Sequence, residues 1–175
     1  QIAKLRTYGE LLLEWNSKIN LISRKDAKNI WFSHILHSLS VLFFVQFPKD
    51  FRVLDLGTGG GLPGIPIAIV RDDLKLTLCD SIRKKTMAVQ EMVDRLQLAN
   101  TNVVTARAEE MAKDRTYTNV FDAVIARAVA PLDDLIEWSK PLATKKRSMD
   151  FPKLIALKGG ILDEEIREAT RKSTP

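Results

Sequence analysis

The sequence predicts an α/β protein: a mostly parallel sheet with helices on both faces, preceded by a helical extension over residues 1–50. Two observations predict it. From residue 51 onward short apolar runs alternate with amphipathic stretches, and the first of these runs, Phe51 to Leu56, breaks abruptly into Gly57-Thr58-Gly59-Gly60-Gly61. Strands joined through helices take right-handed crossovers, so the alternation builds a parallel sheet covered on both sides.

The chain opens on an amphipathic helix over residues 1–15, with Ile2, Leu5, Leu12 and Trp15 on one face and Lys4, Arg6, Glu10 and Glu14 elsewhere. Asn20-Leu21-Ile22-Ser23-Arg24 is a loop into a second helix over about residues 27–44, which turns Ile30, Trp31, Ile35, Leu39 and Leu42 inward. Pro48-Lys49-Asp50 is the turn into the first strand. After the glycines, Pro63 and Pro66 fit only a first helical turn, which starts the next helix near Leu62 and carries it to about Val70. A second strand spans Leu74 to Cys79 and ends in Asp80. Ser81 is placed as N-cap of a helix over residues 82–98 whose inward positions are Ile82, Thr86, Val89, Val93 and Leu96. Residues 102–106 form a third strand, 121–126 a fourth, 132–140 a helix, 143–152 a basic loop and 153–157 a fifth strand. No internal repeat or low-complexity tract interrupts this order.

With 175 residues, 45% of them hydrophobic, the chain can bury one good core, so one folding unit is expected, its core spanning residues 51–175. A net charge of +5 and a pI near 9.4 suit a polyanionic partner. A single cysteine excludes an internal disulfide and fits a reducing compartment. No apolar run approaches a membrane span and no signal peptide opens the chain, so a cytoplasmic monomer is expected.

In a parallel sheet the ligand sits beyond the carboxyl ends of the strands, at the switch in strand order. Here those ends are Gly57, Asp80, Ala106-Arg107-Ala108-Glu109 and Ala126-Arg127-Ala128. Alternating glycines between a strand and a helix leave bare backbone that a ligand can approach closely. Their spacing, Asp55-x-Gly57-x-Gly59-x-Gly61, resembles the first motif of S-adenosylmethionine-dependent methyltransferases rather than the G-x-G-x-x-G of dinucleotide sites. Asp80 can accept both hydroxyls of an adenosine ribose, or serve only the dipole of the following helix. Glu109 is placed to meet the adenine, although Glu110 could play the same part and both could be first-turn helix acids. Arg127 ends an apolar strand and must be met by a ligand or by a carboxylate such as Asp55 or Asp122. Lys158, after the fifth strand, is either a group reaching substrate or a solvated strand-end lysine. Arg83-Lys84-Lys85 and Lys145-Lys146-Arg147 are placed around the cleft mouth, where they could neutralise phosphates or simply face water. His34 and His37 lie three apart but lack a third ligand, so no metal is expected.

Taken together, Asn20 to Ser23, His34-Ile35-Leu36, Asp55 to Pro66, Asp80-Ser81, Arg107 to Glu110, Phe121-Asp122, Ala126-Arg127-Ala128 and Ala156 to Gly159 resemble the ribosomal small-subunit methyltransferase G family, also called glucose-inhibited division protein B. The resemblance covers most of residues 11–160. It implies a Rossmann-like S-adenosylmethionine-dependent methyltransferase fold that moves a methyl group from S-adenosylmethionine to N7 of one guanine in 16S ribosomal RNA. By the resemblance, Gly57, Leu62, Ala108, Glu109 and Arg127 contact the cofactor; the reading of the residues adds Gly59, Gly61, Asp80 and Ser81 to the cofactor site, and Arg127 and Lys158 are expected to serve the transfer. His37 departs from the family, which usually has Asp there, and the chain looks shortened at both ends, leaving residues 161–175 or a partner to cover the edge of the fifth strand.

The chemistry agrees. Ala126-Arg127-Ala128-Val129 is not the Asp/Asn-Pro-Pro-aromatic motif common where an exocyclic amine is methylated, and Cys79 inside a strand is poorly placed as the nucleophile that C5 methylation needs. Guanine N7 keeps an in-plane lone pair and requires neither, so alignment and desolvation suffice. Two other functions would use parts of this sequence: a nicotinamide-dependent oxidoreductase, for which no Tyr-Lys or His-Asp relay pair is present, and a non-catalytic RNA-binding module, which would ignore the cofactor.

Overall fold

The computed structural model describes residues 1–145 and 151–173. Five parallel strands, β1 (Arg52–Leu56), β2 (Lys75–Asp80), β3 (Thr101–Thr105), β4 (Ala123–Arg127) and β5 (Leu154–Leu157), lie in the order β3-β2-β1-β4-β5. The order runs outward from β1 to β3, then restarts on the other side of β1 with β4. That reversal opens a crevice between the carboxyl ends of β1 and β4, the position expected for a ligand.

Period-two alternation assigns each strand residue to one of two cores. Val53, Leu76, Leu78, Ala123 and Ile125 face one core, which they share with α1 (Ile2–Lys18), the segment 30–47, α5 (Gly64–Val70) and α6 (Arg83–Arg95). Leu54, Leu56, Cys79, Val124 and Ala126 face the other, under α7 (Ala108–Lys113) and α8 (Leu132–Leu142). Asp55 and Arg127 have the parity of the first set, and this puts both under the N-terminal helices.

The second helix departs from expectation. Instead of one helix from 27 to 44 there is a short α2 (Arg24–Ala27), capped by the Ser23 hydroxyl on the Asp26 N–H. A π-helical turn follows over Trp31–Leu36, then α3 (His37–Leu39) and α4 (Val41–Phe44). In the π-helical turn His34 and Ile35 are buried, whereas Trp31 is 46% exposed instead of turned inward. In α1 the inward face is Leu5, Tyr8, Leu11 and Leu12, whereas Ile2 is exposed. The helix after the glycines begins at Gly64, not near Leu62, because Thr58 C=O accepts both Gly61 and Leu62 N–H and prolongs the turn through Pro63.

After β5, α9 (Asp163–Ser173) packs on α8. No helix among them is long and apolar enough to cross a membrane.

Candidate active site

The turn after β1 is folded upon Asp55. Its Oδ2 accepts the Thr58 hydroxyl at 2.6 Å and the Gly64 N–H at 2.8 Å, joining the start of the loop to the start of α5. Burial pushes this carboxyl up to about 6, although both hydrogen bonds and the nearby Arg127 charge oppose the rise. Gly57, Gly59 and Gly61 all take positive φ, but their surroundings differ. A Cβ on Gly57 would meet Val129 at 2.6 Å, one on Gly61 would meet Ile65 at 2.5 Å, and one on Gly59 would meet nothing within 4 Å. Gly59 is thus the glycine whose bare Cα faces open space.

The loop is held to the end of β2 by Asp80, whose Oδ2 accepts the Gly59 N–H at 2.9 Å and whose Oδ1 accepts the Ile82 N–H at 2.9 Å. One acid therefore braces two turns, and each oxygen keeps a further lone pair for a ligand. With the helix entry served by Asp80, Ile82 occupies the N-cap position and Ser81 does not cap α6.

Between these turns lies a cleft of about 460 Å³, within the range that encloses a nucleoside-sized ligand. Gly57, Gly59, Leu62, Asp80, Ser81, Ala108, Glu109 and Arg127 all line it, from the carboxyl ends of four different strands. Gly61 does not. It is turned toward Ile65, and its role is the geometry of the turn. Glu109 stands exposed in the first turn of α7. Lys85 and Arg107 also line the cleft, as their positions in the sequence implied, whereas Leu21, Thr58, Gly60, Val129 and Trp138 line it without having been singled out from the sequence as cleft residues.

Lys158 is also elsewhere. Its ammonium donates to Ala130 C=O at 2.8 Å and pairs with Glu165, which in turn accepts the Leu132 N–H at 2.8 Å. It is not a solvated strand-end lysine: its side chain is largely buried and ties β5 to the start of α8 and to α9. Lys145 lies past α8, where Thr144 N–H donates to Phe121 C=O at the amino end of β4, opposite the cleft; Lys146 and Arg147 lie outside the described residues. The Arg83-Lys84-Lys85 group does flank the cleft, with Lys85 in its wall.

Arg127 pairs with no carboxylate among the described residues. Its Nη1 donates to Ser33 C=O at 3.2 Å and its Nη2 contacts His34 Nδ1 at 2.9 Å, while Asp122 instead accepts the Arg52 N–H and lies 3.7 Å from the Arg52 guanidinium. Nearby, Tyr8 donates its hydroxyl to Gly60 C=O at 3.0 Å, so α1 and the π-helical turn both reach the cleft from behind. Strand parity could have revealed this side of Arg127, and helical spacing from Leu5 and Leu12 could have placed Tyr8 on the inward face. Ala128 follows with φ 53°, an unusual backbone for a residue with a Cβ, and brings Val129 over Gly57. Cys79 in the cleft floor has its thiol pushed up to about 12 by burial, so it carries no thiolate. No cluster of His, Cys, Asp or Glu that could hold a metal occurs among the described residues.

Residues 1–174 match the family described as rRNA small subunit methyltransferase G. The chain belongs to this family. Its members are S-adenosylmethionine-dependent methyltransferases. The chain is similar to the ribosomal RNA small subunit methyltransferase G of Chlorobium luteolum, 46% identical over 172 residues, covering 98% of this chain and 68% of that protein. It is also similar to the protein of the same name from Bacteroides fragilis, at 43% identity, covering 94% of this chain and 78% of the relative. Among solved structures, a SAM-dependent methyltransferase from Aquifex aeolicus superposes with a TM-score of 0.51 at 22% identity, over 73% of this chain and 70% of that one, a likeness of fold. The Rossmann-like methyltransferase fold expected from the sequence is the one observed. Within this methyltransferase G chain the cleft fits its cofactor: open backbone at Gly59, a carboxylate with free lone pairs at Asp80, and a wall lined by the first turn of α7.

Proposed function

We propose that this methyltransferase transfers a methyl group from S-adenosylmethionine to N7 of a guanine in 16S ribosomal RNA by direct displacement, working in the cytoplasm. When bound, the cofactor supplies an electrophilic methyl on a sulfonium. The protein's residues hold and align. Asp80 offers lone pairs to the ribose hydroxyls, Gly59 presents bare backbone with Gly57 shaping the turn beside it, Ala108 and Glu109 form the side facing the base, and Arg127 contributes a fixed positive charge beside the Asp55 carboxyl.

The observation that carries the reading is a cleft built for alignment in which neither a thiolate nor a free imidazole occurs among the described residues. Its thiol is locked in the neutral state, and the nearby imidazole of His34 is engaged by Arg127. An acceptor with its own in-plane lone pair needs neither group, and effective molarity from alignment can supply roughly 7 to 11 kcal/mol. Arg83, Lys84, Lys85 and Arg107 line or flank one rim with no ion pair among the described residues, which suits RNA phosphates.

The test is transfer of labelled methyl to small subunits from cells lacking this modification, with the modified position mapped afterwards. Label on guanine N7 is the expected result. Label on an exocyclic amine or a pyrimidine carbon would refute the assignment, and cofactor binding without product would favour an RNA-binding module.

A further inference from the structure

Arg127 is half-buried at the end of β4, in the wall of the cleft, and is pushed below the ordinary guanidinium range chiefly by burial. A cation in that position requires acceptors. It finds two, and both come from the π-helical turn: Ser33 C=O at 3.2 Å and His34 Nδ1 at 2.9 Å. Since a guanidinium only donates, Nδ1 must accept, so the proton of the neutral imidazole sits on Nε2. The residue is only 7% exposed, and its Nε2 has no hydrogen-bond partner among the described residues. We infer that His34 is a positioning residue that holds the Arg127 guanidinium toward the cofactor cleft, and that protonation of His34 releases it.

The inference rests on the reading of this cleft as the cofactor site. The argument from geometry is that an imidazolium has no acceptor. Adding a proton to Nδ1 removes one of the two contacts that fix Arg127 and sets two like charges at hydrogen-bonding distance. The groups facing His34 are Arg127 from β4, Asp26 from α2 and His37 from α3; Arg127 is faced in addition by Tyr8 from α1 and Asp55 from β1. Of these, burial and Arg127 hold His34 below its ordinary range, and Asp26 alone opposes them. His34 is thus neutral at neutral pH, and the release belongs to acid.

Two measurements decide. The chain has two histidines, His34 and His37, so NMR titration of the imidazoles resolves each. His34 should titrate below the ordinary value of 6.5 in the native protein and move upward in Arg127→Ala, while the distant Arg95→Ala leaves it in place. Calorimetric titration of S-adenosylmethionine at neutral pH then gives a double-mutant cycle. His34→Ala should weaken binding by about tenfold or more, the scale of a lost hydrogen bond to a charged group. Because it acts through Arg127, the pair His34→Ala with Arg127→Ala should bind no more weakly than Arg127→Ala alone. Thermal midpoints establish that each variant is folded. Multiplying effects in the double variant, or a His34 titration unmoved by Arg127→Ala, would overturn the positioning role alone. A native chain that binds no cofactor at any pH would overturn that role and the function reading together.

Discussion

The Gly59 N–H donates to the Asp80 carboxylate at 2.9 Å, so the glycine turn after β1 and the end of β2 are one unit. Asp80 also receives the Ile82 N–H. Its removal therefore loosens both walls of the cleft as well as taking away the ribose acceptor. Asp80→Ala should weaken S-adenosylmethionine binding by about 1.5 to 3 kcal/mol, measured by calorimetry. Asp80→Asn should fall between, since its single carbonyl oxygen can keep one of the two N–H contacts. Equal affinity in Asp80→Ala and native protein would place the cofactor elsewhere.

Asp55 makes stability depend on pH in an unusual direction. Burial raises its carboxyl from 3.8 to about 6 in the folded protein. Between those values the folded state binds more protons than the unfolded one, so stability falls as pH rises through that window and levels off above it. Two units correspond to roughly 3 kcal/mol of stability present in acid and absent at neutral pH. Asp55→Asn keeps an acceptor for Thr58 or Gly64 and cannot ionise. Denaturant unfolding of both proteins from pH 4 to 7 should show the difference between them shift in favour of Asp55→Asn as pH rises. Parallel curves would mean that the carboxyl titrates normally.

How far the sequence led depended on whether a residue's partner was local. The strands, their ends and the glycine turn follow from apolar runs and breakers a few residues long, and the cleft residues Gly57, Asp80, Ala108 and Arg127 sit at those ends. Lys158 was misplaced because its partner, Glu165, belongs to α9, for which no strong apolar pattern announced a docking face. Arg127 was expected to meet either a ligand or a carboxylate such as Asp55 or Asp122, and among the described residues no carboxylate pairs with it. The imidazole of His34, ninety-three residues earlier, contacts it from a π-helical turn, a long-range pairing that no local pattern announces.

Gly57 and Gly59 look equivalent in sequence, both with positive φ, yet should separate folding from binding. An added Cβ at Gly57 meets both Val129 methyls at 2.6 to 2.7 Å, and Val129 is stiff at χ1, so Gly57→Ala combines backbone strain with a clash. At Gly59 the Cβ meets nothing, and the cost is the backbone alone, about 1 to 2 kcal/mol. Gly57→Ala should therefore lower the thermal midpoint more. Gly59→Ala should weaken cofactor binding beyond what its stability loss explains, because its Cβ enters the cleft. The reverse order in the melting series would contradict these contacts.

Lys158 lies close in sequence to the cleft strands but outside the cleft itself, and a variant distinguishes the two possible roles. Its ammonium joins Ala130 C=O to Glu165, and Glu165 accepts the Leu132 N–H, so Lys158→Ala leaves a half-buried carboxylate without its cation and frees the start of α9. Because Glu165 remains accessible to water, much of the pair's effect is screened. Denaturant unfolding should therefore show a modest loss of stability, with amide exchange quickening in α9 before other helices. S-Adenosylmethionine affinity should be unchanged, since no atom of Lys158 lines the cleft. A large loss of affinity or of turnover at intact stability would return Lys158 to the site and require α9 to swing away from α8 when RNA binds.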